Sequence, residues 1–132
     1  MSGFNDDIVS ILKHNNMLHS VALGFISGIN SDGRMGNLLD HLFNLGMRVS
    51  GIRGDATWDY IVIPNKIVSA RTVLMALSSI NAGGIVILEI SEAQRKYQEK
   101  YLRIGTNQSA TKVQYEDRYY LIIHTGEDYG EL

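Results

Sequence analysis

The sequence predicts an α/β protein: a three-layer sandwich with a mostly parallel sheet and a C-terminal antiparallel hairpin. Apolar strand-like runs alternate with helical patterns along most of the chain, which implies right-handed parallel crossovers. Two β-rich runs near the C-terminus flank two turn-forming residues, which indicates a hairpin. With 132 residues, of which 45% are hydrophobic, we expect one domain spanning residues 1–132.

The first part of the chain predicts a helix, a strand, a loop and a second helix. Residues 5–12 place acidic side chains at a helix start and apolar ones at i, i+3 and i+4, and this helix should end near residues 15–16. Residues 19–29 form an apolar run with little alternation, typical of a central strand buried on both faces. Helical spacing returns over residues 35–45, with Gly46 placed just past the helix end.

The middle of the chain predicts two further strands, a helix and a fourth strand. Residues 48–53 are a short strand candidate, and residues 58–64, WDYIVIP, are a stronger one. Asn65 is suited to cap a helix that the pair Gly83 and Gly84 would terminate. The segment GIVILEI that follows predicts a second fully apolar strand.

The last part of the chain predicts a helix and the hairpin. Ser91 and Gln94 form a capping-box pattern at the start of the helix. The runs TKVQY and RYYLIIHT flank Glu116 and Asp117, which we expect at the hairpin turn. Residues 126–132 should form a loose acidic end.

Composition narrows the classes of partner. A net charge of −2 gives no global reason to bind nucleic acid or an anionic membrane, so we expect neither. The absence of cysteine fits a reducing compartment, and the N-terminus lacks the pattern of a secretory signal, so we expect a cytoplasmic protein. The tyrosines and basic residues of the hairpin fit a half-exposed sheet better than a nucleic-acid surface. That edge hairpin favours self-association into a homo-oligomer.

The loop after the first strand is the leading candidate for a binding site. Its polar and glycine residues precede a helix N-terminus, where backbone N–H groups bind anionic or carboxylate groups. These residues are Gly28, Asn30, Ser31, Asp32 and Gly33. The alternative is a simple helix cap by Asp32 or Asn30. A phosphate-binding loop is disfavoured because Arg34 follows where that motif needs lysine.

Acidic residues near strand ends are further candidates. Asp55 follows a strand candidate, where a carboxylate accepts hydrogen bonds from ribose hydroxyls; the alternative is an ordinary Gly-Asp turn. Asp59 and the pair Pro64-Asn65 flank the WDYIVIP strand, whose carboxyl end faces the ligand crevice of an open α/β sheet. Asn65 is equally suited to capping the next helix. No catalytic residue is identifiable.

Glu89 is the one acid inside an apolar strand and would be costly to bury unpaired. It should lie at the strand end or pair with Arg48 or Arg71. The four histidines share no metal-ligand spacing, so no metal site is expected.

Residues 55–125 resemble the C-terminal half of class I S-adenosylmethionine-dependent methyltransferases. In that family an Asp opens the fourth strand, a Gly-Gly turn precedes the fifth, and the last two strands form a hairpin; Asp59, Gly83 and Gly84 match these positions. The resemblance implies a Rossmann-like fold. It also implies S-adenosylmethionine as cofactor, held by the loop at residues 28–33 with Asp55 and Asp59.

The first half departs from the pattern of that family. Ile26 stands where the cofactor loop usually has an acid, and of its three glycines only Gly28 is in place. The interval from residue 48 to residue 64 also omits a strand-helix unit. Three functions therefore stay open: a small methyltransferase-like protein that binds an adenosine-bearing ligand, a non-catalytic scaffold for oligomerisation or protein interaction, and a nucleotide-binding regulator.

Overall fold

The computed structural model describes residues 3–27, 33–64, 70–91 and 109–125. Within these ranges it has three helices and six strands. The helices are α1 (Phe4–His14), α2 (Arg34–Asn44) and α3 (Ala70–Ser78). The strands are β1 (Leu23–Ile26), β2 (Arg48–Ser50), β3 (Trp58–Ile63), β4 (Ile80–Ile90), β5 (Ser109–Tyr115) and β6 (Arg118–His124).

The six strands form one mixed sheet in the order β2-β1-β3-β4-β6-β5. Strand β1 pairs in parallel with β2 and β3, and β3 pairs in parallel with β4. Strand β6 runs antiparallel between β4 and β5. The predicted α/β class, with parallel strands first and an antiparallel hairpin last, is confirmed.

The sheet carries helices on both faces, because alternate side chains of each strand point to opposite sides. On one face Ile26, Val62 and Ile87 pack with α1 and α2. On the other face, Ile61 and Val86 pack with α3. The described elements therefore form the three layers that the sequence predicts.

Strand β1 is shorter than the predicted residues 19–29. The His19 ring accepts a hydrogen bond from the Ala22 N–H at 3.2 Å, which holds residues 19–22 in a turn before the strand. The strand is internal to the sheet, as predicted, but Leu23 and Phe25 are only half-buried. The prediction of full burial on both faces is wrong.

The crossover from β2 to β3 explains this partial burial. The crossover consists of residues 51–57 and contains no helix. It passes over β1, because β1 lies between β2 and β3 in the sheet. Strand β2 ends early because Ser50 Oγ accepts a hydrogen bond from the Ile52 N–H at 3.0 Å, closing a local turn. We call residues 51–57 the crossover loop. Its brevity confirms that a strand-helix unit is omitted.

The end of helix α2 follows the prediction, and the end of α3 does not. Gly46 has a φ of +81°, and the Met47 N–H donates to the Leu42 carbonyl at 3.1 Å, which is a Schellman ending. Helix α3 already ends at Ser78, so Gly83 and Gly84 lie within β4 and do not terminate the helix.

The two glycines have different reasons: Gly83 has a φ of +81°, which favours glycine, and Gly84 lies against the backbone of β3. A Cβ on Gly84 would lie 2.6 Å from the Asp59 carbonyl oxygen, and the pairing of β3 with β4 shifts register at this point.

The C-terminal hairpin is confirmed, with its turn at Glu116 and Asp117 between β5 and β6. A buried carboxylate connects it to α1. Asp7 accepts hydrogen bonds from Arg118 Nε at 2.5 Å and from the Tyr120 hydroxyl at 2.6 Å. The burial of Tyr120 and this hydrogen bond raise its pKa above the ordinary value.

Three predictions fall outside the described residues: the helix cap at Asn65, the helix after Ser91 and the acidic end at residues 126–132. None of the described helices has the length and apolar character needed to cross a bilayer.

Candidate functional site

The carboxyl ends of the parallel strands define the candidate site. Ser27 directly follows β1, Pro64 directly follows β3, and Glu89 is the penultimate residue of β4. The chain leaves β1 for β2 on one side and returns to β3 on the other, so the order of connections reverses between β1 and β3. Ligands of open α/β sheets bind at such a switch point.

The predicted binding loop reaches this edge but is only partly described. Gly28, Asn30, Ser31 and Asp32 lie outside the described residues. Gly33 has a φ of +81°, which favours glycine, and it occupies the N-cap position of α2 without a side-chain cap. The alternative that Asp32 or Asn30 is the N-cap is therefore wrong, because Gly33 takes that position.

The two predicted acids lie elsewhere. Asp55 is exposed in a turn of the crossover loop, beside Gly54 with a φ of +57°. Asp59 lies near the amino end of β3, whereas Ser27 lies at the carboxyl end of the parallel strands. One of the Asp59 oxygens accepts from the Leu23 N–H at 2.8 Å and the other from Asn81 Nδ2 at 3.0 Å. Because both oxygens connect strands, we assign Asp59 to the fold and leave it out of the site.

Arg34, the first residue of α2, pairs with Glu89. Its guanidinium also donates to the Pro64 carbonyl at 2.8 Å and lies 5.0 Å from the centre of the Phe4 ring. The pair offsets the cost of burying a carboxylate that is almost inaccessible to water. The predicted partners Arg48 and Arg71 are wrong, while the placement near the strand end is right.

A cavity of about 380 Å³ opens beside Ser27, between the crossover loop and α3. Its size lies within the range of roughly 300–1,000 Å³ that is typical of small-molecule sites. The lining residues are Phe25, Ser27, Gly51, Arg53, Ile61, Ile63, Thr72, Met75 and Ala76. The cavity exists because a short loop, instead of a helix, passes over this part of the sheet.

The cavity has an apolar floor and a few polar groups at its wall. Phe25 stacks on Trp58, with ring centroids 5.6 Å apart, which fixes one side of the floor. Ser27 is 5% exposed as a residue and lines the cavity, and the described ranges give its side chain no hydrogen bond. Its hydroxyl is therefore open to a ligand or to water that enters the cavity.

Arg53 is the charged residue of this lining. Its Nη2 donates to Ser79 Oγ at 2.7 Å and to the Met75 carbonyl at 3.3 Å, which attaches the crossover loop to the end of α3. Sequence reasoning missed Arg53 and Ser27, because neither residue belongs to a motif and both matter only through the cavity.

In the described ranges, no three His, Asp or Glu side chains come together as metal ligands would. The chemistry available there is hydrogen bonding, apolar contact and one guanidinium.

No protein-family model matches this sequence, and a search of curated proteins finds no match. Solved structures do match. The ribosomal protein L11 methylase of Lactobacillus delbrueckii subsp. bulgaricus is 13% identical, with a TM-score of 0.60 over 96% of this chain and 82% of that chain. A methyltransferase of Pyrococcus furiosus is 16% identical, with a TM-score of 0.57 over 94% of this chain and 84% of that chain.

A third neighbour was solved with the cofactor. Phosphoethanolamine N-methyltransferase 2 of Haemonchus contortus, in complex with S-adenosyl-L-methionine, is 10% identical, with a TM-score of 0.64 over 95% of this chain and 38% of that chain. This chain therefore has the Rossmann-like fold of class I S-adenosylmethionine-dependent methyltransferases, as the resemblance predicts. At these identities the likeness defines the fold and leaves activity to the site.

Proposed function

We propose that this chain is a small methyltransferase-like domain that binds an adenosine-bearing ligand in the cavity beside Ser27. One observation carries the proposal: an apolar cavity lined by the Ser27 hydroxyl lies at the switch point between β1 and β3. The fold adds S-adenosylmethionine to the ligands to be tested.

The adenosine part of such a ligand fits the described lining well. Phe25, Ile61 and Ile63 offer apolar surface to a flat base, and the Ser27 hydroxyl is available to a polar atom of the base or ribose. Asp55 lies in the same crossover loop but is exposed and does not line the cavity, so its contact with ribose hydroxyls stays a prediction from the sequence.

The methionine part of S-adenosylmethionine fits less well. It carries an ammonium, a sulfonium and a carboxylate. Arg53 suits the carboxylate, but no acidic side chain lines the described part of the cavity to meet the two positive groups. When bound, S-adenosylmethionine supplies an electrophilic methyl group, and the contribution of this chain would be to position it. The described residues include no group that we assign as a general base.

Calorimetric titration with adenosine, S-adenosylmethionine and its demethylated product tests the proposal. We expect a saturable heat with at least one of them and a weakening of about three- to tenfold in Ser27→Ala, because one hydrogen bond is lost. Ser78→Ala is the matched control, because this exposed serine bonds only within α3. The absence of heat with all three ligands, together with no thermal shift, would refute the proposal.

A scaffold that self-associates is the second candidate. It is favoured by exposed large apolar side chains. Phe43 lies in the last turn of α2 and Leu45 at its C-cap, and Ile52 is 80% exposed just after the short edge strand β2. Light scattering should then give a stable oligomer that Phe43→Lys or Ile52→Lys disrupts. Val9→Lys is unsuitable for this test, because Val9 packs against the core and a lysine there would destabilise the fold. A monomer at every concentration would exclude this candidate.

A further inference from the structure

We infer that the ligand of this cavity is anionic, an adenosine nucleotide whose phosphate pairs with Arg53. The inference rests on the proposed function, since it names the class of ligand for the same cavity. Arg53 lines the cavity together with the apolar side chains of Phe25 and Ile61, so the same cavity offers both an apolar surface and a charged group.

The hydrogen bonds of Arg53 leave part of its guanidinium available. Nη2 makes both of its contacts, to Ser79 and Met75. Within the described ranges the Nε and Nη1 groups have no partner. A guanidinium has five N–H donors in a planar arrangement that matches phosphate oxygens, and it stays charged at any physiological pH.

The charges around the cavity favour the same class of ligand. Of the described lining residues, Arg53 alone is ionised at neutral pH. Arg71, on the turn of α3 that carries Thr72, adds a second exposed positive charge nearby. Asp55 is the acid of the crossover loop, but it is exposed and does not line the cavity. A phosphate would thus meet positive charge. The carboxylate of S-adenosylmethionine would meet the same charge, but its sulfonium and ammonium would meet no described counter-charge, so a ligand of net negative charge is favoured.

The Ser27 hydroxyl completes the set of polar groups, because Ser27 follows β1 and lines the same cavity. A hydroxyl donates to phosphate oxygens and accepts from ribose hydroxyls. The described lining therefore matches the three parts of a nucleotide: apolar surface for the base, the Ser27 hydroxyl for the ribose and a guanidinium for the phosphate.

Arg53 also has a structural role, because it bonds to a carbonyl near the C-terminal end of α3. A test must therefore separate loss of ligand recognition from loss of stability. The ratio of two affinities measured on the same protein does so, because a change in the folded fraction affects both ligands equally.

Calorimetric titrations of the full chain with adenosine and adenosine 5′-monophosphate, at low and moderate salt, provide that ratio. We expect the monophosphate to bind at least about tenfold more tightly than adenosine, with the advantage shrinking as salt rises. Arg53→Gln should reduce the ratio to about one while leaving adenosine affinity in place. Arg53→Lys should keep part of the ratio, and Arg48→Gln, an exposed arginine outside the lining, should keep all of it.

The outcomes distinguish this inference from the proposed function. If neither ligand binds, and S-adenosylmethionine also gives no heat, the proposed function fails and the inference fails with it. If adenosine and the monophosphate bind equally, or S-adenosylmethionine binds most tightly, the cavity stands and the inference is overturned. If Arg53→Gln fails to fold, three measurements still test the inference: the ratio of the two affinities in the wild type, the salt dependence of that ratio, and the ratio in Arg53→Lys.

Discussion

The two faces of the sheet use the same strands but are covered differently. Helices α1 and α2 lie over one face, where Ile26 is fully buried. On the other face, the seven-residue crossover loop and α3 lie over β1, and Phe25, the residue before Ile26, is only half-buried. The difference teaches that a cavity can result from a shortened connection alone. The predictions below test whether one face serves stability and the other serves binding.

The largest effect should come from matched leucines on the two sides. Leu38 of α2 is fully buried, and Leu74 of α3 is 47% exposed. Leu38→Ala should lower the free energy of unfolding by about 3 kcal/mol, because it leaves a void in a packed core. Leu74→Ala should cost less than about 1 kcal/mol. Urea denaturation measures both, and equal losses would contradict the contrast between the faces.

A smaller effect is expected from matched glutamates. The Glu89 side chain is buried and paired with Arg34, whereas the Glu116 side chain is 64% exposed and paired with Arg118. Glu89→Gln should lower the free energy of unfolding by about 2 kcal/mol, because it replaces a charged hydrogen bond to a partly buried guanidinium by a neutral one. Glu116→Gln should change it by less than about 0.5 kcal/mol. If denaturation experiments gave similar losses of unfolding free energy for both variants, the pair of Arg34 and Glu89 would add little to the stability of the fold.

The smallest effect at neutral pH concerns Tyr60, whose hydroxyl is buried on the α1 and α2 face without a partner among the described residues. Burial first, and the charge of Asp59 second, raise the pKa of Tyr60. The neutral phenol is therefore favoured in the folded state, and its contribution is complete below the unfolded pKa of about 10 and lost as pH rises above it.

Tyr60→Phe should consequently be neutral or slightly stabilising at pH 7, because it removes an unsatisfied hydroxyl. It should also reduce the loss of stability above about pH 10. Thermal melts from pH 7 to pH 11 check both points, with Tyr119→Phe in β6 as the control. An unchanged alkaline loss in Tyr60→Phe would assign that loss to other groups, Tyr120 first.

The sequence predicts the sheet well where strands are uninterrupted and apolar. Strands β3 and β4 could be read directly, because Val, Ile and Leu runs of that length are buried in parallel sheets. Strand β1 was predicted too long, because the turn that shortens it depends on the His19 ring. Gly83 and Gly84 were misassigned because helix endings and bulges both favour glycine.

The site is harder to predict because its contacts join distant segments. Arg34 and Glu89 are 55 positions apart, and only the order of strands in the sheet brings them together. Ser27 is an unremarkable residue in the sequence, and its burial depends on the crossover loop. The acid beside a strand predicts a ligand residue at Asp59, but an acid that accepts hydrogen bonds from neighbouring strands gives the same pattern.

Methyl-resolved NMR spectra, recorded while adenosine 5′-monophosphate is added, test the central claim most directly. If the cavity between the crossover loop and α3 is the binding site, the methyl signals of Ile63, Met75 and Ala76 should shift in a saturable manner. Those of Leu38 and Leu42, on the opposite face, should stay in place. Saturable shifts confined to the α1 and α2 face, or no shifts at millimolar ligand, would contradict the account.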